Sequence, residues 1–347
     1  MSDQPTWPAL FSRLMANEDL STADTEWAIG QIFDGEATPA QIGAFAVALR
    51  AKGETVAELA GLAGGALARA TPLALPGRIV DVVGTGGDKS GTVNISSMAA
   101  VVTAGAGIGV AKHGNRAVSS ASGSSDVLDA LGVRLDVAAE RLPEVFAEAG
   151  ITFVFAPLFH AGFRFAGPVR AELGVPTAFN ILGPLVNPAR PAASLVGVAD
   201  ARIAPLVAGV FAERGDDAWI VRGDDGLDEI TVTTTSTVWR PVDGAVVAET
   251  LDPQDVGVDI APLRSLVGGD PAHNADVFRR VLDGEDGAIR DAVIVNAGAA
   301  IAVHEAGSGS LVERLAAGME RARESLDSGS AKAVLARWVE ATQRLAG

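Results

Sequence analysis

The chain has 347 residues, 48% of them apolar and 20% charged, with 40 glycines and a formal net charge of −16. That length favours two domains over one, and the acidic balance argues against nucleic-acid or anionic-membrane partners, which need basic patches. There is no cysteine, which excludes a disulfide framework and thiolate metal sites.

The first ten residues, MSDQPTWPAL, carry no basic stretch followed by an apolar run, and no segment approaches a membrane span. A cytoplasmic protein without membrane contact is therefore expected. Up to about residue 70 the pattern is helical. In TPAQIGAFAVALR, Thr38 caps a helix that opens on Pro39, with Gln41 completing a capping box. Ile42, Phe45, Ala46 and Leu49 then fall on one face. TVAE at 55–58 is a second capping box, and TPLALPGR at 71–78 reads as a linker.

From residue 79 the period changes. IVDVV is a short β-branched run that ends in the glycine loop GTGGD, and NISSMAAVVTAGAG follows as an apolar helix. IGVAKHG predicts a second buried strand, and SSDVLDALG a helix capped by Ser124 or Ser125. ASLVGVA, DARIAPLVAGVFAERG, AWIVRG and DAVIVNAGAA continue the strand–helix alternation, and the last 40 residues predict helices. Such alternation implies a mainly parallel sheet flanked by helices. Residues 161–190, with four prolines, interrupt it and read as a helix-and-loop return to the N-terminal domain. The expected fold is α/β: a small all-helical domain, 1–72 with a return segment at about 162–190, and a larger α/β domain, 73–161 and 191–347.

Three loops carry candidate chemistry, and each follows an apolar run, so they are expected at the carboxyl ends of strands, where open α/β sheets bind ligands. DVVGTGGDKSG (81–91) matches neither the P-loop nor the dinucleotide glycine pattern. Its glycines still let backbone approach an anion, and the helix after Asn94, with Ser96 and Ser97 in its first turn, offers an anion-binding N-terminus. A plain glycine-rich turn is the alternative. KHGNRAVSSASGSSD (112–126) places Lys112, His113, Asn115 and Arg116 beside five serines. It supplies many donors with little net charge, and His113 reads either as a site residue or as a structural hydrogen-bonding residue. GDDGLDEIT (223–231) holds the adjacent Asp228-Glu229, hard oxygen ligands that suit Mg2+ bound together with substrate phosphates; a solvated acidic turn is the alternative. Together these loops suggest a Mg2+–diphosphate ligand.

GTGGD, NISS, KHGNRAVSSASGSSDVLDALG, FNILGPLVNPA and DGLDE, in this order, resemble the anthranilate phosphoribosyltransferase family over essentially the whole chain. The resemblance implies transfer of the phosphoribosyl group from 5-phosphoribosyl 1-diphosphate to the amine of anthranilate, in tryptophan biosynthesis. It also implies a hinge between the two domains and a homodimer formed through the helical one. The phosphoribosyl diphosphate site it implies comprises Gly84, Gly87, Asp88, Thr92, Asn94, Ile95, Ser96, Ser97, the run Lys112, His113, Gly114, Asn115, Arg116, Ala117, Val118, Ser119 and Ser120, and Ser124. Mg2+, two per subunit, would lie at Ser96, Asp228 and Glu229. Anthranilate would meet Gly84, Asn115 and Arg170, with His113 and His160 nearby, and Lys112, Asn115 and Arg170 would act on the reacting groups.

Arginine binds a carboxylate as a fork, which suits Arg170 to anthranilate; its other reading is a surface partner for Glu172. Two departures from the family are Arg222, where a histidine is usual before the GxDGLDE motif, and His160-Ala161-Gly162, where a proline commonly follows the histidine. Rival readings are the same transfer to another aromatic acceptor, a pyrimidine nucleoside phosphorylase, or a nucleic-acid-binding relative. The acidic charge and the Asp228-Glu229 pair disfavour the last.

Overall fold

The computed structural model describes residues 5–116 and 122–346. Its seven strands are β1 Ile79–Gly84, β2 Gly109–Gly114, β3 Ile151–Phe155, β4 Ala193–Gly197, β5 Asp217–Gly223, β6 Ser236–Val242 and β7 Ala245–Leu251. The first half of the chain supplies helices α1 Trp7–Met15, α2 Thr22–Phe33, α3 Pro39–Lys52, α4 Val56–Leu67, α5 Ile95–Gly105, α6 Ser124–Leu131 and α7 Leu142–Ala149. The second half supplies α8 Ala156–Phe159, α9 Phe163–Leu173, α10 Ala204–Arg214, α11 Pro271–Leu282, α12 Ala288–Glu305, α13 Leu311–Asp327 and α14 Ser330–Leu345.

The chain divides into two compact units. One runs up to Pro72 and takes in Ala156–Pro188; the other is Leu73–Phe155 and Ala189 onwards. The returning piece starts at Ala156, earlier than the expected boundary near 162, because the chain leaves β3 directly into α8.

The first unit is helical throughout, with short 3₁₀ turns at Ala178–Asn180 and Gly183–Leu185. Its helices start where their capping chemistry directs. Thr38 accepts from the Gln41 N–H while the Gln41 side chain accepts from the Thr38 N–H, and Thr55 and Glu58 repeat the arrangement. Each such cap contributes about 1 kcal/mol. Glu58 is buried and does more: it also accepts from the Leu20 N–H at 2.8 Å and pairs with Lys52 at 3.0 Å.

In the second unit the strand order is β3-β2-β1-β4-β5-β6-β7. The first five strands run parallel, and β6 and β7 are antiparallel additions at one edge. From β1 the chain proceeds outward to β2 and β3, then returns to lay β4 on the other side of β1. The direction of winding therefore reverses between β1 and β4, which is where doubly wound sheets bind their ligands. Gly84 and Gly197, the last residues of these two strands, stand opposite each other in the register.

DAVIVNAGAA, expected within the strand–helix alternation, lies wholly inside α12, whose residues 292–303 are all buried. A helix buried on every side shows no 3.6-residue period, and its β-branched residues imitate a core strand. The cap of α6 also differs from expectation: Gly123 takes the position, and the Asp126 carboxylate accepts from its N–H at 2.9 Å.

Candidate active site

The carboxyl ends of β1, β4 and β5 converge on Asp228. Its Oδ2 accepts a hydrogen bond from the Gly86 N–H at 2.7 Å. A Cβ on Gly84 would stand 2.4 Å from that same oxygen, and a Cβ on Gly197 would stand 1.6 Å from the Asp228 carbonyl. Both strands must therefore end in glycine for the acidic segment to lie across them. Two of the three candidate loops, far apart in sequence, are thus brought together over the reversal point.

The glycine loop itself is exposed. Gly86, Gly87 and Lys89 all adopt positive φ, at 65°, 88° and 59°, and Lys89 does so against the preference of a side chain with a Cβ. Among the described residues the N–H groups of Gly87, Asp88 and Lys89 make no hydrogen bond. Consecutive free amides in a left-handed turn form a concavity for an anion. Asp88 braces the turn by accepting from the Ser90 hydroxyl at 2.5 Å.

The start of α5 behaves differently from the expected anion-binding N-terminus. The Ile95 and Ser97 N–H groups donate to Val93 and Asn94 carbonyls, and the nearby Ser96 N–H favours the charged form of the Glu229 carboxylate. Ser97 is 1% exposed and Ile95 is also buried, so both face the core. Of the Ile95, Ser96 and Ser97 amides only that of Ser96 makes no hydrogen bond among the described residues, so this turn offers one amide and the Ser96 hydroxyl, not a row of open amides. Thr92 bridges to Val267, and the Asn94 side chain is held by the Asn274 amide at 2.9 Å and donates to the Ser122 carbonyl at 3.1 Å.

Lys112 lies beneath this surface at 2% exposure, donating to the Val82 carbonyl at 2.5 Å and the Ser96 hydroxyl at 3.3 Å. Burial pushes its pKa below the ordinary lysine value, while Asp81, Glu229 and Asp228 push it back up. Asp228 and Glu229 keep part of their surface open. The surrounding protein, followed by the Asp88 charge, raises Asp228 to about 6. Burial and the Asp228 charge hold Glu229 well above the usual carboxylate range. Two carboxylates whose pKa values stay raised with a single buried cation, Lys112, beside them fit a divalent cation. Among the described residues no group of three or more His, Cys, Asp or Glu could hold a metal. One or two carboxylates, a hydroxyl and substrate phosphates are the donor set Mg2+ accepts, and not that of a protein-enclosed metal.

At the end of β2, Gly114 leads to Asn115 and Arg116, both exposed. The Asn115 Oδ1 accepts from the Arg116 N–H at 2.8 Å, and the Arg116 guanidinium faces Asp126 at 3.3 Å and lies over the Phe155 ring. His113 is 2% exposed and its N–H donates to Asp81 at 3.0 Å. Ser124 opens α6. Ala117, Val118, Ser119 and Ser120 lie outside the described residues. Arg222 donates to the Ala199 carbonyl at 2.9 Å and the Gly223 carbonyl at 3.1 Å, tying the ends of β4 and β5.

In the helical unit, Arg170 lies near the end of α9. Its guanidinium is half-buried, its pKa is lowered by that burial, and it has no acidic partner among the described residues, Glu172 included. A charge that is desolvated without a partner is costly, which favours a role in binding an anion over a surface pairing. His160 is 2% exposed, and its Nε2 donates to the Val186 carbonyl at 2.8 Å. Burial lowers its pKa to about 4, so it is neutral near pH 7.

Fold and site together define a two-part sugar transferase. Residues 76–332 match the glycosyl transferase family, a/b domain, and residues 8–70 the glycosyl transferase family, helical bundle domain. The anthranilate phosphoribosyltransferase of Nocardioides sp. is 58% identical over 339 residues, which are 98% of this chain and 99% of that protein. The chain belongs to the anthranilate phosphoribosyltransferase family. Its structure is similar to that of the family member from Thermus thermophilus, with a TM-score of 0.90, 38% identity, and coverage of 96% of this chain and 99% of the other. It is also similar to the Saccharomyces cerevisiae enzyme in complex with PRPP and Mg, with a TM-score of 0.88, 27% identity, and coverage of 97% and 98%.

Proposed function

We propose that this chain transfers the phosphoribosyl group of 5-phosphoribosyl 1-diphosphate to the amine of anthranilate, giving N-(5-phosphoribosyl)anthranilate and diphosphate in tryptophan biosynthesis. The observation that carries this is the convergence of the open amides of Gly87, Asp88 and Lys89 with the Asp228-Glu229 pair at the β1/β4 reversal point. That arrangement matches a ligand that is both polyanionic and accompanied by a cation.

In the reaction, the bond from ribose C1 to the anthranilate nitrogen forms, the bond from C1 to the diphosphate oxygen breaks, and the amine loses a proton. A neutral aromatic amine is already a competent nucleophile, so the protein's task is to orient it and to stabilise charge on the leaving group. The glycine-loop amides take up phosphate oxygens. Asp228, Glu229 and the Ser96 hydroxyl would hold Mg2+, two per subunit, and Mg2+ supplies neutralisation of the departing diphosphate. Buried Lys112 balances the acidic pair from below and directs the Ser96 hydroxyl, a role of counter-charge more than of direct contact. Thr92, Asn94, Gly114, Arg116 and the segment through Ser120 and Ser124 complete the donor side.

On the acceptor side Arg170 binds the anthranilate carboxylate as a fork, and the exposed Asn115 amide orients the ring substituents. His113 and His160 support the surrounding backbone from buried positions. With its pKa at about 4, His160 is a weak base for the amine proton.

Diphosphate release that requires anthranilate tests the reaction, and Arg170→Ala tests the acceptor reading. A charge-assisted pair contributes about 1.5–3 kcal/mol. The variant should therefore raise the KM for anthranilate by about 10- to 100-fold while leaving the KM for the phosphoribosyl donor near its wild-type value. An unchanged anthranilate KM would remove Arg170 from the site.

The protein is further proposed to be a cytoplasmic homodimer joined through its helical unit; among the described residues no helix is long and apolar enough to cross a membrane. Met15 at 77% exposure lines a shallow groove with Leu14, Ala48 and Ala51, together with Asn17 and Lys52. Apolar side chains grouped this way on a surface mark an interface. Met15→Glu should shift the sedimentation coefficient from dimer to monomer, and a wild-type protein that sediments as a monomer would dismiss the assembly.

A further inference from the structure

Asn296 lies in the middle of α12 with no exposed surface, among Ala, Val and Ile neighbours. Its Oδ1 accepts from the Ile230 N–H at 3.0 Å, and its Nδ2 donates to the Ile230 carbonyl and the Ala292 carbonyl, both at 2.9 Å. The side-chain amide thus satisfies both backbone groups of one residue, as an adjacent strand would.

Ile230 directly follows Glu229, and its N–H belongs to the peptide that joins them. Residues 227–231 form neither helix nor strand, so no backbone ladder fixes their direction. Side chains fix it instead: Asp225 accepts from the Leu227 N–H at 3.1 Å, and the Ser236 hydroxyl accepts from the Thr231 N–H at 3.0 Å. Asn296 grips the segment between these two points, immediately after the acidic pair. An apolar residue would suit a helix packed on all sides; the amide is required by the strandless turn opposite it.

We infer that Asn296 is a positioning residue for the metal pair, setting the direction in which Asp228 and Glu229 present their carboxylates and hence the affinity for the Mg2+ complex of 5-phosphoribosyl 1-diphosphate. This rests on the metal reading given above. Residues that orient metal ligands alter metal affinity by about 10- to 100-fold when removed.

The test is calorimetric titration of the full-length protein with 5-phosphoribosyl 1-diphosphate at a series of Mg2+ concentrations. Wild type, Asn296→Leu, Asn296→Ser and Val303→Ala are compared, the last a core truncation seven residues along the same helix. Both Asn296 variants should need about tenfold more Mg2+ for half-saturation, with the KM for anthranilate unchanged. Val303→Ala should lower the Tm and leave the Mg2+ requirement at the wild-type value. The serine variant, too short to span both Ile230 groups, decides the matter if the leucine variant does not fold. An Asn296 variant that behaves like Val303→Ala would overturn the inference. A wild-type protein that binds the donor equally with and without Mg2+ would overturn the metal reading and this inference together.

Discussion

Asp228→Ala/Glu229→Ala is expected to lower kcat/KM by about 10³-fold or more, the scale on which charge stabilisation of a leaving group acts, and to do so without unfolding the protein. The pair is held where burial raises both pKa values, joined by the Asp88 charge at Asp228 and the Asp228 charge at Glu229, Asp228 to about 6 and Glu229 well above its usual range. Two carboxylates in that environment destabilise the ligand-free protein. Their removal should leave the unliganded Tm equal to wild type or a few degrees higher, as expected where a site's chemistry is maintained against stability. Donor plus Mg2+ should raise the wild-type Tm by mass action and leave the variant's unchanged. A double variant that keeps wild-type turnover would show that the acidic segment is only a surface turn.

The second large effect concerns a residue with no side chain. Gly197→Ala would place a methyl group 1.6 Å from the Asp228 carbonyl oxygen, and that atom is backbone, unable to swing aside. Either β4 or the acidic segment must move. Overpacking of this kind costs about 3 kcal/mol, and displacing a reacting group by about 1 Å costs on the order of 10²-fold in rate. Gly197→Ala should therefore lose both stability and Mg2+-dependent activity. Gly64→Ala is the comparison: that glycine lies on the exposed side of α4 with nothing within 4 Å of an added Cβ, and the change should be neutral or stabilising by up to about 1 kcal/mol. Equal behaviour of the two variants would contradict the close approach of Asp228 to the strand ends.

These cases indicate what a sequence reading can reach here. The capping boxes at Thr38 and Thr55, the strand that leads into GTGGD and the DGLDE segment were legible because each rests on chemistry within a few residues. β3 was not anticipated, since its partner β2 lies about 40 residues earlier; the β6–β7 hairpin was missed although its Asp243-Gly244 turn, both residues at positive φ, is a local signal. The long helix α12 was misread because its all-buried surface, 292–303, carries no amphipathic period. Within the site, residue types pointed to the donor loops, but direction did not follow from type. Lys112 lies beneath the ligand surface, and the Ile95 and Ser97 amides of the α5 turn that suggested an anion site are taken by neighbouring carbonyls. Asn296 had no local signal at all, because its partner Ile230 is 66 residues away.

The central claim is tested most directly by the fluorescence of anthranilate itself. Purified protein, anthranilate and 5-phosphoribosyl 1-diphosphate are mixed with and without Mg2+, and the signal is followed in time. A decay that requires both the donor and Mg2+, and that stops when the metal is chelated, is the predicted result. A steady signal under conditions where the donor is seen to bind, or a decay indifferent to chelation, would contradict the account.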